Sequence, residues 1–373
     1  MIHQANTIDA TQAPAVMERQ RDRSIDLARG VALVLMVMVH VIYIWDLPTV
    51  SADGSLIYAM VSPIGAPTFL FLMGINFALS SKTHAWPSIY RGCQLIALGY
   101  FLNFLRGTIP VFLGDWTGLI TINHVTWLTP WHYLIEVDIL QCVGLSLIVL
   151  AIIRKYCPWP KVWALLAALS ILGILIPSEA AATNSFGSYF ASLFRGARNY
   201  IYFPLLPWIT FPLAGMAYGA MKKKAAEKGR FEFRGALAGL ALIIAGSVMV
   251  LTGTGEGFGN LKAGFFLDGK LTPGMAVTFI GIQLLWLPLC GFISRTIDIT
   301  PFAHRIYFWS ENVTTFYFIQ WIVIGWLSIL TGEIATWLLG PMIVVVLLST
   351  DRVLSWRSSP LPEKGQMEAK AVA

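Results

Sequence analysis

From Gly30 to Ser349 the chain alternates between long apolar stretches and polar connections, and no other feature limits its fold so strongly. Ten apolar segments are read: Gly30–Leu47, Leu56–Ser80, Ile89–Leu105, Glu136–Ile153, Val162–Ile176, Tyr200–Met221, Gly235–Thr252, Gly274–Ile293, Phe308–Leu330 and Ile334–Ser349. A helix needs about 20 apolar residues to cross the hydrocarbon core, and several of these segments are shorter. Only 12% of residues are charged and 56% are hydrophobic, with mean hydropathy +0.67. A soluble domain carries about 25% charged residues. The expected fold class is therefore all-α, a polytopic membrane protein of about ten transmembrane helices forming one domain.

The basic residues orient it. With the N-terminus inside and ten crossings, 21 of the 26 lysines and arginines fall on inner connections. Arg106, Arg195, Arg198, Lys262 and Lys270 fall outside. Short basic loops stay in the cytoplasm, so both termini are expected there. Residues 1–22 are read as a polar tail, 23–350 as the transmembrane domain, and 351–373 as a cytoplasmic tail. No apolar h-region precedes the first segment, so no cleavable signal peptide is expected. Compact loops suit a bacterial cytoplasmic membrane.

The net charge of +6 reflects this loop bias rather than nucleic-acid binding, since no basic helix interleaved with aromatics is present. Cys93, Cys142, Cys157 and Cys290 lack CxxC spacing and imply neither disulfides nor a metal site. Three outer loops are expected. Residues 106–135 hold His124 and His132 among Trp116, Trp127 and Trp131, with Gly107, Pro110, Gly114 and Gly118 as punctuators. Residues 177–199 and the glycine-rich 253–273 complete the set.

Chemistry concentrates in the first segment. Ser24 is read as its N-cap, with Asp26 in the first turn. Arg29 and His40 are eleven residues apart, three turns with about 20° left over, so they share a face about 16 Å apart along the axis. Asp26 lies close to the same face. An intramembrane histidine is costly and faces a cavity or partner, and imidazole exchanges protons near neutrality. A structural histidine bonded to a neighbouring helix is the plain alternative. For Arg29 the plain alternative, an inner-end anchor, is the stronger, because the positive-inside rule predicts an arginine there. Glu136 and Asp138 stand at the outer end of the fourth segment, placed to orient His40 or bind acceptor hydroxyls. Asn76, Asn103 and Gln141 read as packing groups.

Ser24-Ile-Asp-Leu-Ala-Arg-Gly-Val-Ala, with Arg29-x10-His40, resembles the first-helix motif of the transmembrane acyltransferase superfamily. That superfamily includes acyltransferase-3 proteins and the heparan-α-glucosaminide N-acetyltransferase type. Ala66-Pro-Thr-Phe-Leu-Phe-Leu-Met-Gly-Ile75, Tyr90-Arg91-Gly92 with Leu98-Gly99-Tyr100, Val137 to Gly144, and Phe203-Pro-Leu-Leu-Pro-Trp208 with Gly215 to Gly219 resemble later helices of the second group, in order. The resemblance spans Arg23 to Gln320. It implies ten or eleven helices and transfer of an acyl group, often acetyl from cytoplasmic acetyl-CoA, to a sugar or glycan acceptor. The central catalytic role goes to His40 and a supporting one to Arg29. Gln320 stands where many relatives have histidine, and glutamine does not titrate. Coenzyme A phosphates would meet inner-face cations, with Arg29, Arg91, Arg154, Lys155, Arg295 and Arg305 as candidates. A proton-coupled transporter is the competing class, without the matched halves such proteins often show. A structural membrane protein without chemistry is the third.

Overall fold

The structure, a computed structural model, describes residues 22–45, 61, 63–80, 84–120, 129–175, 186–196, 200–252, 271–297 and 300–358. Most of the N-terminal tail, His124, Trp127 and nearly all of the 253–273 loop lie outside these residues. The described chain is helical: α1 (Arg23–Trp45), α2 (Ala66–Leu79), α3 (Ala85–Trp116), α4 (Pro130–Ile135), α5 (Ile139–Tyr156), α6 (Pro160–Ile171) and α7 (Phe186–Arg195). Then come α8 (Leu205–Trp208), α9 (Thr210–Lys224), α10 (Lys228–Thr252), α11 (Pro273–Ile297), α12 (Pro301–Glu311), α13 (Val313–Thr331) and α14 (Leu339–Ser358). Among the described residues, pairing outside helices is limited to a parallel bridge between Val137 and Ile201. Among the described residues, seven helices are long and apolar enough to cross a membrane: α1, α3, α5, α10, α11, α13 and the helix ending in α14. The shorter apolar helices α2 and α6 accompany them.

Helix starts follow local chemistry. Asp22, not Ser24, caps α1, because its carboxylate accepts from the Ser24 backbone N–H at 3.1 Å. Proline stands in the first turn of α2, α4, α6 and α12, where its missing N–H has no intrahelical partner to lose.

Glycine sets the helix pairing. On α10, a Cβ at Gly239 would lie 2.6 Å from the Gly281 carbonyl on α11, and one at Gly281 would lie 2.5 Å from the Gly239 carbonyl. Gly246 and Gly274 repeat the contact one level along, so the two helices run antiparallel. α3 and α5 pair likewise through Gly92 and Gly144, whereas α2 and α9 run parallel, with Phe71 against Gly215 and Ile75 against Gly219. Lipid tails supply no hydrophobic drive between helices, so close backbone approach at small residues carries the packing.

Polar ties join the ends that carry the basic residues. Lys222, at the end of α9, reaches Glu232 at 2.7 Å and Asp22 at 3.7 Å. Arg154, late in α5, donates to the Phe77 and Ser80 carbonyls at 2.8 and 3.0 Å and so closes the end of α2. Asp351 accepts from the Trp309 indole at 2.7 Å, with Arg305 3.5 Å away.

Three boundaries read from the sequence change. Residues 106–135 do not begin a loop: α3 continues to Trp116 through a π-helical turn at Phe104–Thr108. Pro110 accounts for that turn, since it lacks an N–H and its ring excludes the carbonyl of Arg106 four residues earlier. The 177–199 stretch contains α7. α14 runs to Ser358, past the tail boundary at residue 350. Trp116 and Trp131 are exposed.

Replacing Gly239 with Val should lower the thermal midpoint in detergent, since pressing Cβ atoms onto a facing backbone costs about 1–3 kcal/mol or more. A G239V protein with the wild-type midpoint would show that α10 and α11 are not held by this approach.

Candidate active site

His40 lies in the last third of α1, five residues before Trp45, and so nearer that helix's far end than its middle. Its side chain is only partly covered. Three residues of α13 meet it. Gln320 places its amide nitrogen 3.1 Å from His40 Nδ1. The Trp321 ring lies 4.1 Å from the imidazole, tilted by 32°, and Tyr317 presents an edge contact at 6.0 Å. These three residues are buried. The position that cannot titrate is thus the direct partner of the histidine, and an amide can offer either N–H or C=O to Nδ1.

Beside these rings is a buried ionic cluster. Arg106, expected on an outer loop, is buried within α3. Its guanidinium donates to Glu136 Oε2 at 3.1 Å and pairs with Asp138 Oδ2 at 3.0 Å. It also stands 4.1 Å from the Trp321 ring centroid. The Tyr317 hydroxyl donates to the same Asp138 oxygen at 2.6 Å. Gly325 on α13 packs directly on the Arg106 carbonyl, which a Cβ there would displace.

The carboxylates are held by a short non-helical stretch. Asp138 N-caps α5, accepting from the Ile139 N–H at 2.7 Å, while Gln141 accepts from the Asp138 N–H at 3.1 Å. The Glu136 carbonyl accepts from Asn103 at 2.7 Å and Gln141 at 3.2 Å. Val137 exchanges two 3.0 Å backbone bonds with Tyr200 and Tyr202. Irregular backbone among membrane helices persists only where its polar groups are satisfied, and here they are. Asn103 and Gln141 therefore do the packing work expected of them.

Tyr43, one turn past His40, meets the Tyr202 hydroxyl at 3.0 Å. His132 bonds the Thr129 hydroxyl at 2.5 Å and lies edge-on to Tyr200.

The α1 start forms a second polar group. Arg29 contacts Asp26, the Ser310 hydroxyl and the Ser310 carbonyl, each at 3.4 Å. Ser310 also donates to Asp26 at 3.3 Å. This group ties α1 to α12, while α1 and α13 run in the same direction, with His40 beside Gln320 at one level and the Trp45 indole bonded to Thr331 at 3.1 Å further along. Arg91, Lys155, Arg295 and Arg305 are exposed, whereas Arg154 already serves two carbonyls.

Glu136 and Asp138 thus join the histidine's surroundings, while Arg29 sits about 16 Å and Asp26 about 21 Å below along the helix. Missing from the sequence reading were Arg106, Tyr317 and Trp321. The family described as heparan-alpha-glucosaminide N-acetyltransferase, catalytic, matches residues 21–251. No curated protein matches the chain. The matched stretch covers more than half of the sequence and contains His40, Arg29, Arg106, Glu136 and Asp138. The chain belongs to the heparan-alpha-glucosaminide N-acetyltransferase catalytic-domain family.

Proposed function

We propose that this protein is a membrane-embedded acyltransferase that moves an acyl group, acetyl by preference, from acyl-CoA to a hydroxyl or amine of a sugar or glycan acceptor. The observation that carries the reading is His40: a partly open imidazole, oriented by a buried amide, on the helix that carries Arg29 three turns below. The family match supports the reaction class, and the family's name carries the acetyl group and a glycan acceptor.

In the reaction, His40 takes the proton from the acceptor hydroxyl or amine as its lone pair attacks the thioester carbonyl. The C–S bond then breaks and the coenzyme A thiolate receives a proton. His40 can instead attack first and carry the acyl group, and Nδ1 held by Gln320 leaves Nε2 for either role. As placed, the Gln320 N–H donates to Nδ1 and Nε2 carries the proton; the base role takes the flipped amide, whose carbonyl gains a partner in Nδ1–H and leaves Nε2 its lone pair.

The donor is placed on the side where α1 begins. Arg29 meets the phosphate-bearing end, with the exposed Arg91, Lys155 and Arg305 as further cations and Arg154 set aside as a clamp on α2. The pantetheine arm then runs beside α1 toward His40. This placement accompanies ten crossings with both termini cytoplasmic, in a bacterial cytoplasmic membrane. The parallel and antiparallel directions of the packed pairs agree with that alternation. A proton-coupled transporter would use the same histidine, but no observed contact favours it over group transfer.

Purified wild type should release thiol from acetyl-CoA in detergent, and His40→Ala should lower that rate at least about 100-fold. Release that persists unchanged in H40A removes His40 from the mechanism, and no release by wild type, with no acetyl-CoA binding, removes the donor.

Arg29→Gln should raise the acetyl-CoA KM about tenfold with kcat little changed, because the lost contact is made equally in ground and transition states. An R29Q effect on kcat alone would move the phosphates elsewhere. Gln320→Leu should lower kcat about tenfold or more by freeing the ring, with KM nearly unchanged. Steady-state kinetics with wild-type kcat in Q320L would leave Gln320 a packing residue only.

A further inference from the structure

The chemistry above leaves one built feature unused, the buried cluster of Arg106, Glu136 and Asp138. Removing three charges from water costs several kcal/mol per ion, and apolar residues of similar volume often replace such clusters without loss. The cluster's neighbours suggest why these charges are kept. Two aromatic rings wall His40, Trp321 and Tyr317. Trp321 lies against the Arg106 guanidinium at 4.1 Å, and the Tyr317 hydroxyl is bound to Asp138 at 2.6 Å. Both walls of the histidine therefore end on the same ionic group.

That group is itself fixed from three directions. The π-turn at Phe104–Thr108 re-aims Arg106 out of the regular helical path, a device common at functional sites. Gly325 brings α13 onto the Arg106 backbone. Asp138 is fastened to the start of α5 by its capping bonds, and Glu136 takes the other guanidinium nitrogen. α3, α5 and α13 are thereby tied to one another at the level of His40, which belongs to α1.

We propose that Arg106, locked by Glu136 and Asp138, is a positioning residue for His40, acting through Trp321 and Tyr317. The guanidinium touches neither donor nor acceptor; it sets the plane and reach of the imidazole that does. Misplacing a reacting group by about 1 Å can cost about 100-fold in rate, so the effect belongs in kcat. The kinetic readout rests on the acyl-transfer reading, whereas the spectroscopic one does not.

The test is the neutral triple variant R106M/E136Q/D138N, in which the side-chain amide introduced at position 138 still caps α5 and no charge is left unpaired. Expected are a folded protein by thermal melting, kcat at least about 100-fold lower, and a donor KM within about threefold of wild type. A folded triple variant with near wild-type kcat overturns the proposal and makes the cluster structural. If the triple variant does not fold, R106K decides. Lysine keeps the charge but not the planar fork or the stacking, so kcat should fall about tenfold. Wild-type kcat in R106K overturns the proposal.

The second readout is the ¹³Cε1 signal of His40 in protein labelled at histidine, assigned by its loss in H40N. Stacking on Trp321 displaces this signal by ring current, W321L returns it, and R106K should shift it in the same direction. An unmoved signal in R106K overturns the proposal. Wild type without acetyl-CoA turnover would remove the acyl-transfer reading, and this signal alone would then decide the positioning role.

Discussion

Arg106 between two carboxylates is the contact on which the middle of this protein depends. A guanidinium at membrane depth is expensive, and it is tolerated only when its planar donors are met and its partners are themselves held. Here one nitrogen goes to Glu136 and the other to Asp138. Each carboxylate belongs to a short stretch between α4 and α5 whose backbone is met partly by side chains and by Tyr200–Tyr202. The cost of the charge and the cost of the irregular chain are therefore settled together. Arg106 needs Glu136 and Asp138 at these positions, and Asn103, Gln141 and Tyr200–Tyr202 keep the backbone there.

The helical class and the first-helix pair were legible because they rest on local chemistry. A run of apolar residues has one solution in lipid, and residues eleven apart on a helix share a face whatever surrounds them. Glu136 and Asp138 were also visible, as acids at a helix start. Arg106 was not, and the reason is specific. Gly107, Pro110, Gly114 and Gly118 punctuate that stretch as they would a soluble loop, yet in a membrane bundle glycine and proline sit inside helices when neighbours satisfy the freed groups. Here the helix continues through a π-turn, and α13 packs closely on it at Gly325. Assigning the arginine to a loop followed from reading the punctuation in the wrong solvent.

Tyr317, Gln320 and Trp321 were hidden differently. Nothing in a single sequence says that α13 lies beside α1, because that neighbourhood is set by distant contacts such as Trp45 with Thr331 and, just before α13, Arg29 with Ser310 of α12. The spacing of 317, 320 and 321 does put all three on one helical face, the cue that a pairing of helices would have made usable. Gln320 was noticed only as a departure from histidine. Its geometry shows that losing a titrating group there leaves the orienting bond to Nδ1 intact.

The family match ends at residue 251, so the site draws on two parts of the chain with different warrants. His40, Arg29, Arg106, Glu136 and Asp138 come from the matched stretch, whereas the side chains that wall His40 come from α13 beyond it. The shared part supplies the histidine proposed to act and the ions proposed to position it; the later part supplies the rings packed against that histidine. Because Trp321 and Tyr317 reach Arg106 and Asp138 as well as His40, α13 cannot shift without disturbing both. A change in α13 is thus felt at the histidine twice, once through the ring it stacks on and once through the ion pair behind that ring.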